Sequence, residues 1–318
     1  MKLRAKLDDT AAFFYWLQVV AQRDKSYAHD RRLLDYYRQA VVVENDTALS
    51  TVREILLRQA SPYGLLARLY SGDVRDEDAQ EIAKASEPLR PQFEPLWNEN
   101  KELLAQWQSY INRFSCQNVE GTLRKLAVFL GLLESSVSDV KIFLLPPSAR
   151  PLGAAGHAIR GTDFILLRPP RSIDKTAKRG TMVTIFHEYV HLLAHGSQLF
   201  TDSAKASYQA GIVSRAVKPP AGYNWRAVYN ELFAYAVASR TAGGLLGPEL
   251  LGSAHPSFNE LEVAFNKLRA RGRPSTTQYI NWASLHMMPN LVEYTEAGKV
   301  IDAEFFQPGA RVLGEIFE

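Results

Sequence analysis

The stretch TIFHEYVHLL, residues 184–193, contains the pattern His-Glu-x-x-His within an otherwise uncharged run. If this run is helical, His187 and His191 lie one turn apart on the same helix face. Two imidazoles at this spacing can bind one zinc ion, and Glu188 beside them can hold a metal-bound water. The pattern therefore predicts a zinc site on a helix of about residues 181–195, following a polar loop that ends at Gly180.

The alternative to a zinc site is an ordinary buried helix with two hydrogen-bonded histidines, and the residues around the motif argue against it. Phe186 and Tyr189 flank Glu188, and a carboxylate buried without a partner is costly. A cation or a metal-bound water supplies such a partner. In this context the stretch resembles the extended signature of the zincin metallopeptidases, and the resemblance implies a catalytic zinc ion.

Catalytic zinc normally takes three protein ligands and keeps one position open, so a third ligand is expected downstream. His195 continues the stripe of His187 and His191, but eight residues of helix rise about 12 Å, too far for ligands of one ion. Its place in the last turn instead suits the negative end of the helix dipole. Glu231 is the better choice, because it is the only charge between Arg226 and Arg240. Asp202, in a polar loop, is the alternative.

The segment around Glu231 is rich in alanine and reads as a buried helix of about residues 225–240. Asn-Glu-x-x-Ala at residues 230–234 resembles the third-ligand helix of the gluzincins, a group within the zincins. Some gluzincins carry Asp four residues after this Glu, where this chain has Tyr235. The metzincin extension is absent, since Ala194 and Ser197 occupy its Gly and His positions.

Composition sets the class of protein. The chain has 318 residues, 46% hydrophobic and 22% charged, as expected of a globular protein with an ample core. A net charge of +3 without a basic cluster gives no case for nucleic-acid binding. The single cysteine, Cys116, excludes an internal disulfide and fits a reducing compartment. No cleavable signal or membrane-spanning run is recognised, so a cytoplasmic protein is expected, with export lacking such a signal as the alternative.

The pattern of the chain predicts an α+β fold that is mostly helical. Residues 1–135 read as an N-terminal helical region, with Thr10 capping the first helix and prolines at 88, 91 and 95 breaking the chain. Residues 136–318 read as a zincin-like domain with strands within 139–168, the motif helix, the third-ligand helix and C-terminal helices. An apolar tail over residues 301–317 is expected to pack back on the body.

The strands next to the motif helix suggest how a substrate would bind. Residues 156–167 read as a hairpin, and the zincin arrangement implies that its edge strand borders the cleft. Because an edge strand offers unpaired backbone groups, His157 and Ala158 are predicted to bind an extended peptide or protein substrate. An ordinary surface histidine on a strand is the alternative for His157.

The resemblance implies hydrolysis of peptide bonds, in which Glu188 acts as general base on the zinc-activated water and gives the proton to the leaving amine. Zincins commonly add a Tyr or His that stabilises the oxyanion; here the choice lies among Tyr223, Tyr235, Tyr279 and His286. Two other functions fit the residues. A non-hydrolytic regulatory protein would use zinc only to stabilise its fold, and a helical interaction protein with an accidental motif would bind no metal. The oligomeric state stays open.

Overall fold

The computed structural model is an α+β protein, mostly helical, with one small mixed sheet of four strands. It describes residues 1–21, 47–58, 77–147, 153–159, 161–210, 224–239, 244–251 and 276–317, with isolated positions at 37, 69, 262–263, 265–267 and 270. The predicted fold class is confirmed at this level. Within these residues no helix is long and apolar enough to cross a membrane.

The chain forms two compact units. The first, here called the sheet unit, consists of residues 3–114 and 140–181, and the second, the histidine unit, consists of residues 1–2, 115–139 and 182–318. Each unit therefore takes segments from both sides of residue 135, where the sequence suggested a boundary. The reason is that residues 3–6 form a strand that pairs with a strand beginning at residue 140.

The sheet unit is built on strands β1 (Leu3–Lys6), β2 (Val140–Leu144), β3 (Ala155–Ala158) and β4 (Phe164–Arg168). Their order is β1-β2-β4-β3, with β1 and β4 parallel to β2, and β3 antiparallel to β4 at one edge. The predicted hairpin is confirmed, and its turn contains Gly161 at a φ of +79°. Strand β1 was not predicted, because four residues with two lysines or arginines give too short a signal.

The helices of the sheet unit are α1 (Asp9–Ala21), α2 (Thr47–Arg58), α3 (Glu77–Ser86) and α4 (Arg90–Asn112). The cap of α1 differs from the prediction: Asp8 rather than Thr10 accepts the backbone N–H of Ala11, at 2.9 Å. The prolines also differ, since Pro91 lies in the first turn of α4, where N–H groups lack helical acceptors anyway. Pro95 lies inside the helix and removes one hydrogen bond without ending it.

The histidine unit contains the remaining helices. They are α5 (Gln117–Phe129), α6 (Lys175–Gly196, whose first turns belong to the sheet unit), α7 (Gln198–Gln209), α8 (Trp225–Val237), α9 (Gly247–Leu251), α10 (Thr276–Leu285), α11 (Met288–Glu296) and α12 (Gln307–Phe317). The predicted helix around residue 231 is thus confirmed, and helices follow it toward the C-terminus as expected. Within the part of the chain that the structure describes, short 3-10 turns lie at Glu87–Leu89, Glu134–Ser136 and Glu304–Phe306.

An aromatic core holds α8 in place within the histidine unit. Phe233 of α8 lies between Phe129 and Phe200, with ring centroids 6.0 and 5.2 Å away. Phe305 and Phe306 of the C-terminal segment are fully buried in the same core, which confirms the predicted packing of the tail. Each fully buried phenylalanine contributes about 1.5–3 kcal/mol. One face of α8 therefore packs into the core, and Glu231, on another face, has 26% of its side chain exposed.

Candidate metal centre

Helix α6 carries the motif and is longer than predicted. It begins at Lys175, not near residue 181, and so Gly180 lies within the helix and does not end a loop. Asp174 caps the start of this helix. The Asp174 carboxylate accepts a hydrogen bond from the N–H of Ala177 at 2.9 Å, and the Asp174 carbonyl accepts one from the N–H of Lys178. The hydrogen bond from Ala177, followed by one from the side chain of Ser172, holds the pKa of Asp174 below its usual value.

Helix α8 supplies the third side chain. Asn224 caps this helix by accepting the N–H of Ala227 at 2.9 Å. Glu231 then lies with Oε2 3.4 Å from Nε2 of His187 and Oε1 3.6 Å from Nε2 of His191. The two Nε2 atoms are 3.2 Å apart. The structure thus brings the three predicted ligands together, and they are the group among the described residues that could hold a metal ion.

The spacing of these atoms fits zinc. Ligand atoms of a tetrahedral zinc ion, bound at about 2.0–2.2 Å, lie about 3.3–3.6 Å from one another. The two Nε2 atoms are 3.2 Å apart, and they lie 3.4 and 3.6 Å from the two different oxygens of Glu231, which is close to that range. Two histidines and a glutamate are also a donor set of catalytic zinc sites. The three side chains therefore need little movement to bind one ion.

The ring of His187 is oriented by the backbone at the end of α8. Its Nδ1 lies 3.2 Å from the carbonyl oxygen of Ala238. Because a carbonyl only accepts hydrogen bonds, Nδ1 must carry the hydrogen, and Nε2 faces the ligand position. Tyr235 packs against the same imidazole, with ring centroids 4.5 Å apart. The carbonyl thus performs the orienting role that often falls to a carboxylate.

His195 follows His191 on the helix but does not join the ligand group. The two rings are roughly parallel, with centroids 6.2 Å apart. Nε2 of His195 instead lies 2.9 Å from Nδ2 of Asn230. Nδ1 of His191 and Oδ1 of Asn230 are both buried without a hydrogen bond of ordinary geometry within the described residues. Against the larger lowering effect of burial, a side-chain interaction with Asn230 acts to raise the pKa of His191, so the Asn230 amide lies beside both imidazoles and can hold His191 and His195 together.

The two ligand histidines have opposite pKa shifts. Burial lowers the pKa of His191 to about 4, against a smaller opposing effect of the Glu231 charge. Burial also acts to lower the pKa of His187, but the hydrogen bond and charge of Glu231 and the charge of Glu188 outweigh it, so this pKa is raised. Two imidazolium ions 3.2 Å apart would repel strongly, and the two shifts favour His187 over His191 as the imidazole that becomes charged first.

Glu188 lies on α6 next to His187 and is 9% exposed. Its charge raises the pKa of His187, which shows that the carboxylate acts on the ligand group electrostatically. A carboxylate with little access to water, close to a cation site, is suited to receive and return a proton.

The other predicted site residues are spread over the molecule. His157 and Ala158 lie in β3 of the sheet unit, at the edge of its sheet, where His157 pairs with Leu166 and its ring lies 6.5 Å from that of Tyr15. His286 packs against Trp282 at 5.1 Å.

The rest of the predicted residues are Tyr279, Tyr223 and Asp202. Tyr279 packs against Phe265 at 5.9 Å, and Tyr223 lies outside the described residues. Asp202 is in α7, not in a loop, and accepts a hydrogen bond from Gln198. The ligand group does not include it.

The sequence did not predict a role for two groups at the site, the amide of Asn230 and the carbonyl of Ala238. Asn230 belongs to the Asn-Glu-x-x-Ala motif, directly before Glu231, but nothing in the sequence places its amide between two histidines. The carbonyl of Ala238 gives no sequence signal at all, because every residue has one.

Comparisons of the chain with protein-family models, with curated proteins and with solved structures found no match. The chemistry of the site is therefore argued from its own residues.

Proposed function

We propose that this chain is a zinc-dependent peptidase that resembles the gluzincins, with His187, His191 and Glu231 as ligands and Glu188 as general base. The observation that carries the proposal is the approach of a carboxylate on one helix to two imidazoles on another. Oε2 of Glu231 lies 3.4 Å from Nε2 of His187, Oε1 lies 3.6 Å from Nε2 of His191, and one ligand atom from each residue lies within 4.8 Å of the other two. An accidental motif gives no reason for a carboxylate from another helix to complete the geometry.

The protein holds the ion in an environment of low polarity. His187, His191 and Glu188 are each less than a tenth exposed, so their charges and dipoles act with little screening by solvent. When bound, zinc supplies a Lewis acid that polarises a carbonyl and lowers the pKa of a water molecule. The partly exposed carboxylate of Glu231 leaves the ligand group accessible to solvent, and so to a substrate.

Glu188 handles the proton in this proposal. Its carboxylate takes a proton from the attacking water and gives it to the nitrogen of the leaving amine. Glu188 is 9% exposed and follows His187 directly on α6, so it can exchange the proton close to the ion with little access of bulk solvent. Tyr235 is our choice among the predicted residues for stabilising the oxyanion, because its ring packs on His187, with the centroids 4.5 Å apart.

The substrate we propose is a peptide or an unfolded protein segment. Cys116 is the single cysteine of the sequence, which fits a reducing compartment, so we place the activity in the cytoplasm.

Zinc content and peptide cleavage, measured together, test the function. We expect one zinc per chain in the purified protein, and cleavage of a fluorogenic peptide library that a chelator abolishes and zinc restores. Stoichiometric zinc without cleavage would favour the non-hydrolytic regulatory protein. A protein that binds no zinc at micromolar concentration would overturn the proposal.

A further inference from the structure

The end of α8 is closed by a segment that returns to it. After Val237 the helix stops, with Ala238 in an extended conformation, and the chain comes back at residues 244–246. The N–H of Leu245 donates to the carbonyl of Ala236, and the N–H of Leu246 donates to the carbonyl of Val237, both at 2.9 Å. We call residues 244–246 the clasp, because they donate to carbonyls that a helix end leaves without donor partners.

The clasp approaches the helix more closely than a side chain allows. Gly244 has a φ of +63°, and a Cβ on it would lie 2.5 Å from both the carbonyl carbon and oxygen of Val237 and 2.8 Å from the nitrogen of Ala238. Those atoms are backbone, so they can be avoided only by moving the Val237–Ala238 peptide. Glycine at 244 is therefore required by the contact as well as by its backbone conformation.

The residue after Ala238 is held as well. Ser239 is fully buried, and its hydroxyl donates to Oδ1 of Asn281 on α10 at 2.9 Å. Ala238 lies between these two anchors, and its own N–H donates to the carbonyl of Ala234 at 2.8 Å. Three contacts therefore determine where the carbonyl of Ala238 points, and this carbonyl orients His187.

We infer that the clasp at Gly244, together with the Ser239–Asn281 hydrogen bond, positions the ligand nitrogen of His187 through the carbonyl of Ala238. This inference rests on the proposed metal site. Gly244 is a positioning residue, since it contacts neither the ligand group nor the substrate. Groups that orient a metal-binding histidine typically contribute about 10–100-fold to metal affinity.

The test compares two glycine variants. Gly298 in the same unit also has a positive φ, +64°, but a Cβ there meets no atom within 4 Å. Gly298→Ala thus reproduces the backbone strain of Gly244→Ala without displacing a peptide. We expect Gly244→Ala to weaken zinc binding about tenfold or more relative to Gly298→Ala, measured by competition with a chromophoric chelator. Equal zinc affinities of the two variants would overturn the inference.

A spectroscopic measurement separates positioning from general destabilisation. In the zinc-loaded wild type, nitrogen-15 NMR should show the Nδ1–H of His187 in a hydrogen bond, assigned by loss of the signal in His187→Gln. Gly298→Ala should keep that signal and Gly244→Ala should shift or lose it. An unchanged signal in Gly244→Ala would count against the inference.

If Gly244→Ala does not fold, Ser239→Ala takes its place, because this variant removes one anchor without a steric clash. A severalfold loss of zinc affinity supports the inference, and unchanged affinity overturns it. Zinc binding by the wild type distinguishes the two proposals. If the wild type binds no zinc, the proposed function fails. If it binds zinc and the variants bind it equally well, only the positioning role is rejected.

Discussion

Oε2 of Glu231 lies 3.4 Å from Nε2 of His187, although the two residues belong to different helices. Burial acts to lower the pKa of His187, but the hydrogen bond and charge of Glu231 raise it. A proton taken up by this imidazole binds at Nε2, the atom that would bind an ion. Metal and proton therefore compete for the same atoms.

Replacing Glu231 tests the third ligand. Glu231→Gln keeps the size of the side chain and removes its charge. Zinc affinity should therefore fall by more than the about 10–100-fold that is typical when a residue in hydrogen-bond contact with a ligand, but not itself a ligand, is replaced. The matched control is Asp202→Asn, which removes an exposed carboxylate on α7 and should leave zinc affinity unchanged. Zinc dissociation constants measured by competition decide the matter. Equal affinities of Glu231→Gln and wild type would exclude Glu231 as a ligand.

Replacing Glu188 separates catalysis from metal binding. Glu188→Gln should keep one zinc per chain and lose about 10²–10⁴-fold in kcat, because it removes the proton acceptor but no ligand. His191→Ala should instead lose the metal itself. Elemental analysis and peptide hydrolysis on the same samples distinguish the two variants. Wild-type turnover in Glu188→Gln would reject its assignment as the base.

Zinc affinity should depend on pH in two stages. Zinc needs neutral imidazoles, so above the raised pKa of His187 no proton competes and the affinity is flat in pH. Below it the affinity should fall about tenfold per pH unit, as one proton is bound in place of zinc. A second proton competes only near pH 4, where His191 titrates. Titrations from pH 5 to 8 check this, and an affinity independent of pH over that range would contradict it.

Removing the Glu231 charge should also change the proton affinity of His187. In Glu231→Gln the lowering effect of burial is no longer outweighed, so the pKa of His187 should fall. NMR titration of the ring in zinc-free protein measures the shift.

His195 and Asn230 should respond differently to substitution. His195→Ala should keep one zinc per chain, since its ring lies beside His191 and outside the ligand group. Asn230→Leu, of similar size but without the amide, should weaken zinc about tenfold or more, if the amide holds the ring of His191 as the structure suggests. Loss of zinc in His195→Ala with retention in Asn230→Leu would reverse these assignments.

Tyr235 can be tested through its hydroxyl alone. Tyr235→Phe keeps the ring that packs on His187 and removes only the donor. We expect kcat to fall about 10²–10³-fold with KM and zinc content little changed, as for loss of one oxyanion donor. His286→Gln serves as the comparison, because its ring packs on Trp282. A larger loss of kcat in His286→Gln would transfer the role to His286.

The sequence predicted several local secondary-structure elements correctly. The apolar run with His-Glu-x-x-His, the alanine-rich helix around Glu231 and the hairpin before the motif all formed as expected, because periodicity reports directly on which face is buried. Errors fell where short-range signals are weak. Asp174 extended α6 by six residues beyond the prediction, and Pro95 did not end α4, since a helix supported by packing tolerates one lost hydrogen bond.

The sequence by itself determined that two imidazoles would lie one helical turn apart beside a carboxylate, because helix geometry converts residue spacing into distance. It also singled out Glu231, a lone charge in an apolar helix. Only the tertiary structure decided that Glu231 meets those imidazoles, that the carbonyl of Ala238 faces His187, and that strand β1 joins the sheet. These contacts join segments distant in the chain, and long-range packing carries no periodicity that a single sequence displays.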